Sequence, residues 1–553
     1  MITFIKYLLI MKAKLLFILL ILFISSYTFG QNTVGVLQNS ENSYNGYTLF
    51  SAAKDTYLIN NCGEVINKWT SNYDTGKTVY LLGDGSILRA GSIPNSSIFF
   101  PGIGGILEKK DWNNNLTWSF TYSTSTYSQH HDAVPLPNGN ILMNVVEVKT
   151  KAEAIAQGRN PANVKSTLFN EKLVEIQPTG TNTANIVWEW SFWDHLIQDF
   201  DSSKANFGNV KANPQLLDIN FLSNQPASTD WIHANSVQYN AQLDQVVVSS
   251  ALLNEFYVID HSTTTSQAAS HFGGTYGKGG DFLYRWGNPL SYRSGSTADQ
   301  KLFGQHFVHW IPSGLTDANK IMVFNNGRGR PIDYSSIDII NPPVIAGVYG
   351  FSGTSYGPVN FDWTYMDTVN PVNFYSKIMS SAQRLPNGNT LIDLATSAKF
   401  IEIDSSKNIV WEYISPLSAS GILSQGDDPS LNATAPVFRV KRYATNYTAF
   451  TGKNLTPGKP IELNPNISFC STLSISKQDI SNQLQIYPNP ISDIININTS
   501  IPIDRVEIYD IYGKLIKTSI KSKHINIENI AQGMYFAKIY YKNKLSTKKF
   551  IKL

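Results

Sequence analysis

Short apolar runs alternate with polar turn residues along most of the chain. Six of these runs place tryptophan within a period-two pattern of β-branched and aromatic residues: VINKWT (65–70), LTWSFTY (116–122), IVWEWSF (186–192), LYRWGNP (283–289), FDWTYMD (361–367) and IVWEYIS (409–415). This alternation is typical of β-strands. The chain is therefore predicted to contain a strand that recurs six times.

A second unit follows each of the first five tryptophan runs. It consists of an apolar stretch, a turn and another apolar stretch, as in VYLLGDGSILRA (79–90), QHHDAVPLPNGNIL (129–142) and SSAQRLPNGNTLI (380–392). Asp-Gly and Asn-Gly between apolar runs favour β-hairpins. Six units of about four strands predict an all-β fold, a six-bladed β-propeller over residues 31–449. An array of β-sandwiches is the alternative fold. Such an array would not require successive units to carry the same residue type at the same position, so it accounts less well for a repeated pattern.

Histidines recur at one position of this unit. His131 and His306 each lie six residues before a proline, and His233 lies seven before an asparagine. Ser380 occupies the same position in a later unit. Side chains at one register of a structural repeat converge in space, so we expect the three histidines to share a site.

Composition supports a folded, exported β-protein. Charged residues make up 15% of the chain, aromatic residues 12% and hydrophobic residues 42%, which argues against disorder. Residues 1–30 have the pattern of a signal peptide, with Lys12 and Lys14 before an apolar run and Thr28-Phe29-Gly30 as a cleavage site. A membrane anchor is the alternative, but the run is short for a span. We expect no transmembrane segment in the mature chain.

The two ends of the mature chain differ in charge. Residues 31–483 carry 30 basic and 36 acidic residues, whereas residues 484–553 carry 11 and 5. The body lacks the clustered lysine and arginine of a nucleic-acid surface. Residues 450–483 are predicted to be a linker, and 484–553 a small β-sandwich. Cys62 and Cys470 are either bonded to each other or two free thiols.

The tail resembles the C-terminal sorting domain of type IX secretion substrates. The resemblance rests on Tyr487-Pro488-Asn489-Pro490, Ile508-Tyr509-Asp510, Gly533-Met534-Tyr535 and the closing lysines. It implies export through the inner membrane by the signal peptide and recognition by the type IX machinery at the outer membrane. The protein is then expected to be secreted or held at the cell surface. An ordinary carbohydrate-binding sandwich is the alternative.

The body, from about residue 45 to 445, is similar to the arylsulfotransferase family of secreted six-bladed propellers. The segments that carry the similarity include LINNCG (58–63), HHDAVPLPNGN (130–140), WIHANS (231–236), VIDHS (258–262), RWGNP (285–289), GQH (304–306), FNNGRGRP (324–331) and AQRLPNGN (382–389). The resemblance implies transfer of a sulfuryl group from an aryl sulfate donor to a phenolic acceptor through a sulfated histidine. It implies no cofactor and no metal.

The resemblance also suggests roles for individual residues. His306, His131 and His233 are the catalytic candidates, and Asn235 and Arg328 the candidates for substrate binding. A neutral imidazole is a competent nucleophile near neutral pH, and arginine matches the oxygen array of sulfate.

The sequence departs from the family where the sulfated histidine is usual. The corresponding stretch, FYSKIMSS (374–381), contains no histidine, so His131 or His306 would have to act as nucleophile. A propeller that binds sulfated or phenolic ligands or glycans without turnover is the alternative. A zinc or copper site formed by the three inward histidines is another. We interpret His195, His261 and His271 as structural.

Overall fold

The computed structural model describes residues 32–222, 228–430, 435–467, 470, 485–499, 502–511, 513–541 and 544–553. The predicted signal peptide lies outside these residues. The chain divides into two compact units, the first ending at Ile467 and the second beginning at Ser468. Cys62 and Cys470 are both disulfide-bonded.

The described part of the first unit is almost entirely β-structure. In chain order its strands are β1 (Gly35–Asn39), β2 (Gly46–Ala52), β3 (Asp55–Ile59), β4 (Val65–Thr70), β5 (Asp74–Leu81), β6 (Ile87–Ser92), β7 (Gly105–Lys110), β8 (Leu116–Thr121), β9 (Tyr127–Pro135), β10 (Ile141–Thr150), β11 (Thr167–Thr179), β12 (Thr183–Ser191), β13 (Leu196–Ile197), β14 (Leu217–Asp218), β15 (Ala234–Asn240), β16 (Gln245–Ser250), β17 (Glu255–Asp260), β18 (Tyr284–Trp286), β19 (His306–Trp310), β20 (Ile321–Asn325), β21 (Ser336–Ile340), β22 (Val344–Ile345), β23 (Val348–Tyr349), β24 (Trp363–Tyr365), β25 (Ser381–Arg384), β26 (Thr390–Leu394), β27 (Lys399–Ile403), β28 (Ile409–Ile414), β29 (Leu417–Ser418), β30 (Gly421–Ile422) and β31 (Lys441–Ala444). Two short α-helices, α1 (Lys151–Ala156) and α2 (Thr265–Ala268), lie between strands.

Six antiparallel sheets, which we number 1 to 6, account for most of these strands. Their strand orders are β31-β2-β3-β4, β5-β6-β7-β8, β9-β10-β11-β12, β15-β16-β17-β18, β19-β20-β21-β24 and β25-β26-β27-β28-β1. Sheet 1 takes its first strand from the far end of the unit, and sheet 6 takes a fifth strand from the near end. The two ends of the unit are thereby held by strand pairing.

The predicted tryptophan runs form the fourth strand of every sheet. Each of these tryptophans contacts the next sheet, and the tryptophan of sheet 6 contacts sheet 1. In five sheets the indole Nε1 donates a hydrogen bond: Trp69 to the Asp111 carbonyl (2.8 Å), Trp118 to the Thr183 carbonyl (3.0 Å), Trp188 to Thr263 Oγ1 (3.2 Å), Trp286 to the Pro358 carbonyl (2.8 Å) and Trp411 to the Asn61 carbonyl (2.8 Å). In sheet 5 the Arg384 guanidinium lies over the Trp363 ring, 5.0 Å from its centroid. The tryptophans therefore pack between successive sheets.

A buried polar cluster joins the first strands of four sheets. The Arg439 guanidinium donates to Asp132 (2.8 Å to Oδ2) and to the Tyr80 hydroxyl (2.7 Å), and Gln238 donates to the same hydroxyl (2.9 Å). Arg439 also stacks on Phe307, 3.9 Å from its ring centroid. Because a buried charge is costly unless it is paired, this cluster fixes how the first strands meet.

Part of the predicted linker, residues 450–467, belongs to the first unit. Glu64 forms a β-bridge with Pro460, and Gln425 N–H donates to the Leu463 carbonyl. Apart from Cys470, the rest of the predicted linker lies outside the described residues. The second unit contains strands β32 (Gln485–Tyr487), β33 (Ile494–Asn498), β34 (Arg505–Asp510), β35 (Leu515–Ile520), β36 (His524–Asn526), β37 (Gly533–Tyr541) and β38 (Lys544–Lys552). They form sheets β32-β33-β36 and β35-β34-β37-β38, which share an isoleucine-rich core.

Candidate functional site

A cavity of about 580 Å³ is lined by residues in or next to the first strands of sheets 2 to 6. Four of the five residues predicted to form the site line this cavity: His131, His233, His306 and Arg328. The lining residues are Lys77, Pro101, Gly102, His131, Leu222, Ser228, Asp230, Trp231, His233, Ala251, Leu252, Asn254, Gly304, His306, Arg328, Lys377, Ile378 and Met379. The shared register of the histidines thus corresponds to a shared location.

A local backbone conformation aims these side chains into the cavity. His131, His233, Lys77 and Met379 all have a positive φ, at 50°, 55°, 97° and 58° respectively. Non-glycine residues adopt this region rarely and at a cost, and such strain is concentrated at functional sites. The pairing register of β5, β9 and β15 shifts beside these positions, so the strand turns out of its regular pleat there.

His131 is the last member of a hydrogen-bonded chain that begins at a buried carboxyl group. Glu171 Oε2 lies 2.7 Å from His130 Nε2, and His130 Nδ1 lies 2.9 Å from His131 Nδ1. Glu171 Oε1 accepts the backbone N–H of Ala234 at 2.9 Å. Burial, and then the nearby Asp230 carboxylate, raise the pKa of Glu171 well above its usual value. Burial, and then the charges of His233 and His130, hold the pKa of His131 well below its usual value.

The pKa of His233 is shifted in the opposite direction. Its Nδ1 lies 2.7 Å from Asp230 Oδ2. Burial alone would lower the pKa of His233, but the charge and hydrogen bond of Asp230, together with Glu171, raise it. The His131 and His233 rings lie 4.9 Å apart between centroids. Within the described part of the chain, no hydrogen-bond partner approaches Nε2 of either ring.

Both ring nitrogens of His306 are occupied. Its Nδ1 faces Asn326 Oδ1 (2.8 Å) and the Gly304 carbonyl (3.1 Å), and its Nε2 accepts the backbone N–H of Met379 (3.2 Å). Burial lowers the pKa of His306 to about 3. The ring therefore ties the loop after β20 to the segment before β25 and has no free lone pair for a substrate.

The cavity wall combines cationic and apolar side chains. Lys77, Arg328 and Lys377 line it, and Asp230 is the one carboxylate among its described lining residues. The apolar part is contributed by Pro101, Leu222, Trp231, Leu252, Ile378 and Met379. Such a wall suits a ligand that joins an anionic group to an aromatic ring.

Comparison with known proteins decides the family. The family model described as "Arylsulfotransferase (ASST)" matches residues 34–416, and the model described as "Secretion system C-terminal sorting domain" matches residues 485–553. The chain belongs to the arylsulfotransferase family. Its sorting domain indicates secretion to the cell surface or beyond. Among the described residues of this arylsulfotransferase-family protein, no helix has the length and apolar character needed to cross a membrane.

Other comparisons are distant. No curated protein matches the sequence. Among solved structures, a protein of unknown function from Bacteroides caccae shares 10% identity, with a TM-score of 0.36 over 72% of this chain and 99% of its own. A periplasmic gluconolactonase from Pseudomonas aeruginosa shares 8% identity, with a TM-score of 0.36 over 72% and 99%. Virginiamycin B lyase from Staphylococcus aureus shares 9%, with a TM-score of 0.29 over 62% and 71%.

One predicted site residue of this arylsulfotransferase-family chain does not line the cavity. Asn235 is fully buried, and its Nδ2 donates to the Gln305 carbonyl at 2.7 Å. It is the extra residue where the register between β15 and β16 shifts, between Ala234 and Ser236. The bulge turns its side chain into the packing between sheets 4 and 5, away from the residues that line the cavity.

The stretch 374–381, which contains no histidine, contributes other residues to the cavity. Ser380 is buried behind the wall, where its hydroxyl donates to Ser376 Oγ at 2.8 Å. Lys377, Ile378 and Met379 line the cavity instead. A lysine and a backbone N–H thus occupy the region where the family resemblance led us to look for a nucleophile.

Sequence reasoning missed Lys77, although the signal was present. Lys77 lies six residues before Gly83 of the LGDG turn, which is the register of His131 before Pro137. Burial lowers the pKa of Lys77. Asp230 and Glu171 carried no comparable signal, because each is recognisable only from its contact with a histidine.

The predicted alternative of a metal held by the three cavity histidines has no support in the geometry. Among the described residues, the one group of three potential ligands with donor atoms within 4.8 Å of one another is His195, His271 and Asp281. None of these lines the cavity.

Proposed function

We propose that this exported protein transfers a sulfuryl group from an aryl sulfate to a phenol in the cavity between the sheets. The observation that carries the proposal is the pair of histidines, His131 and His233. Their Nε2 atoms have no hydrogen-bond partner among the described residues, their pKa values are shifted in opposite directions, and both line a cavity that has cationic and apolar side chains. We further propose that the six sheets are the blades of a six-bladed β-propeller and that the second unit is a β-sandwich. The cyclic contacts between the sheets support this arrangement.

His131 is proposed as the nucleophile. Its low pKa keeps the imidazole neutral, and the lone pair on Nε2 attacks the sulfur of the bound aryl sulfate. The bond between sulfur and the aryl oxygen breaks, and its electron pair leaves with the oxygen. His233, whose pKa is raised by the Asp230 carboxylate, is proposed to give its Nε2 proton to that oxygen. The products of this half-reaction are a phenol and sulfated His131.

The second half-reaction reverses these steps with a new phenol. The neutral His233 takes the proton of the acceptor hydroxyl, and the phenolate oxygen attacks sulfur. The bond between sulfur and nitrogen breaks, and its electron pair returns to His131. Lys77, Arg328 and Lys377 offset the negative charge on the sulfuryl oxygens throughout.

The Glu171–His130–His131 chain is proposed to set the tautomer of the nucleophile. When Glu171 is ionised, His130 donates from Nε2 to the carboxylate and accepts at Nδ1 from His131, so that His131 Nε2 carries a lone pair. When Glu171 is protonated the direction reverses, and His131 Nε2 carries the proton. His306 is assigned a positioning role, since its own nitrogens are occupied.

A transfer assay tests the function. The full chain is incubated with 4-nitrophenyl sulfate and a second phenol, and both 4-nitrophenolate release and the new sulfate ester are measured. We expect transfer to the added phenol, lost in His131→Ala. Binding of the aryl sulfate without transfer between about pH 6 and 10 would overturn the proposal in favour of a non-catalytic binding protein.

A further inference from the structure

Three potential metal ligands converge at a point away from the cavity. His195 lies in the segment after β12, and His271 and Asp281 lie in the segment between β17 and β18. Asp281 Oδ1 is 2.8 Å from His195 Nδ1 and 2.7 Å from His271 Nδ1. The His195 side chain is fully buried, whereas that of His271 is 59% exposed.

The hydrogen bond at His195 Nε2 determines which form of Nδ1 faces Asp281. Its Nε2 lies 2.8 Å from the Ala268 carbonyl, which can only accept a hydrogen bond, so Nε2 carries a proton. In a neutral ring Nδ1 then presents its lone pair to the Asp281 carboxylate. Two acceptors in contact require either a second proton on the ring or a cation between them. A backbone carbonyl bound to the remote nitrogen is the usual arrangement around a metal-ligating histidine.

We propose that His195, His271 and Asp281 bind a divalent transition-metal ion, with zinc as the best match. Two imidazoles and one carboxylate, with a fourth position open to water beside the exposed His271, form a common zinc ligand set. Tetrahedral zinc with bonds of about 2.0–2.1 Å separates its donor atoms by about 3.3 Å. The observed separations of 2.8 and 2.7 Å therefore need to widen by only about half an ångström, and the exposed His271 side chain can move that far.

The ion would act on the fold rather than on sulfuryl transfer. It would tie the two long segments that leave sheets 3 and 4. The surroundings of His195 are already rigid: Trp190 stacks on its ring with an angle of 8° between the planes, and a β-carbon at Gly280 would overlap that ring. Because none of the ligands lines the cavity, the site stands whether or not the cavity transfers sulfate.

The experiment uses the full chain, stripped with a chelator and then equilibrated with Zn²⁺ alone. Bound zinc is measured by mass spectrometry after gel filtration, and the melting temperature is measured with and without zinc. We expect about one zinc per chain and a higher melting temperature when it is bound. Hydrogen exchange should slow in residues 195–222 and 265–283.

Variants localise the ion. His271→Ala changes an exposed side chain that the fold tolerates, and we expect it to lower zinc occupancy at least about tenfold. Asp281→Asn should do the same. The matched control is His524→Ala, an exposed histidine in the second unit, which should keep full occupancy. Less than about a tenth of a zinc per parent chain, or equal occupancy in His271→Ala and the parent, would overturn the proposal.

Discussion

Replacing Glu171 by glutamine tests the proposed control of the nucleophile without altering the shape of the site. The amide oxygen takes the position that accepts the Ala234 N–H, now at 2.9 Å from Glu171 Oε1. The amide nitrogen then faces His130 Nε2, 2.7 Å from the present Oε2, and must donate to it. His130 in turn donates from Nδ1 to His131, and the His131 proton is confined to Nε2. The nucleophilic lone pair is lost.

The size of the effect follows from the cost of turning the amide over. In the inverted amide the Ala234 N–H loses its acceptor and faces the NH₂ group, which also has no acceptor. Each unmet buried donor costs about 1–3 kcal/mol, and we take about 3 kcal/mol for the pair. A free-energy difference of this size lowers the population of the reactive tautomer about 100-fold. We therefore expect kcat/KM for the aryl sulfate to fall about 100-fold, with the KM changed little because Glu171 is not on the cavity wall.

The assay is the initial rate of phenolate release from 4-nitrophenyl sulfate as a function of pH. In the parent, the rate should rise with pH as the chain from Glu171 to His131 loses its proton, and this rise should disappear in Glu171→Gln. The matched control is Glu175→Gln on the same strand, where Glu175 Oε2 pairs with His261 Nε2 at 2.7 Å outside the cavity. A Glu171→Gln enzyme with kcat/KM within about threefold of the parent and the same pH profile would refute the reasoning.

Three further changes test the rest of the site. In Asp230→Asn the pKa of His233 should fall, so that in a pH–rate profile the loss of rate at high pH begins at a lower pH than in the parent. Because folding raises the pKa of His233, the ion pair stabilises the fold fully below the unfolded pKa of about 6.5. The difference in melting temperature between the parent and Asp230→Asn should therefore vanish as the pH rises through the raised pKa. In Gly102→Ala a left-handed residue (φ 83°) gains a β-carbon that overlaps His131, so kcat/KM should fall at least about tenfold in the same assay. In Lys77→Met the KM for the anionic donor should rise about tenfold while Lys77→Arg stays near the parent, as measured by initial rates.

The strands and the shared site were predictable because both depend on local repetition. Period-two alternation identified the tryptophan strand of every sheet, and distance from the turn identified His131, His233 and His306 as neighbours in space. The pairing of residues 441–444 with β2 was not predicted, since four residues far along the chain carry no signal that they complete the first sheet.

The roles within the site depended on contacts that sequence does not encode locally. His306 was the first catalytic candidate, but its ring is bound by Asn326 and by a backbone N–H from the next sheet. Asn235 lies at a register shift between β15 and β16 and donates to the Gln305 carbonyl instead of lining the cavity. Glu171 is linked to His131 through His130, by contacts that span three strands of one sheet. These are long-range hydrogen bonds, which a turn register cannot predict.

The central claim is that His131 carries the sulfuryl group between donor and acceptor. The full chain is mixed with 4-nitrophenyl sulfate in the absence of acceptor, quenched at alkaline pH, digested and analysed by tandem mass spectrometry. We predict one SO₃ group on the peptide that contains His131, removed when a phenol is added before quenching. An SO₃ group on His306 or His233, or transfer without any sulfated histidine, would contradict the account.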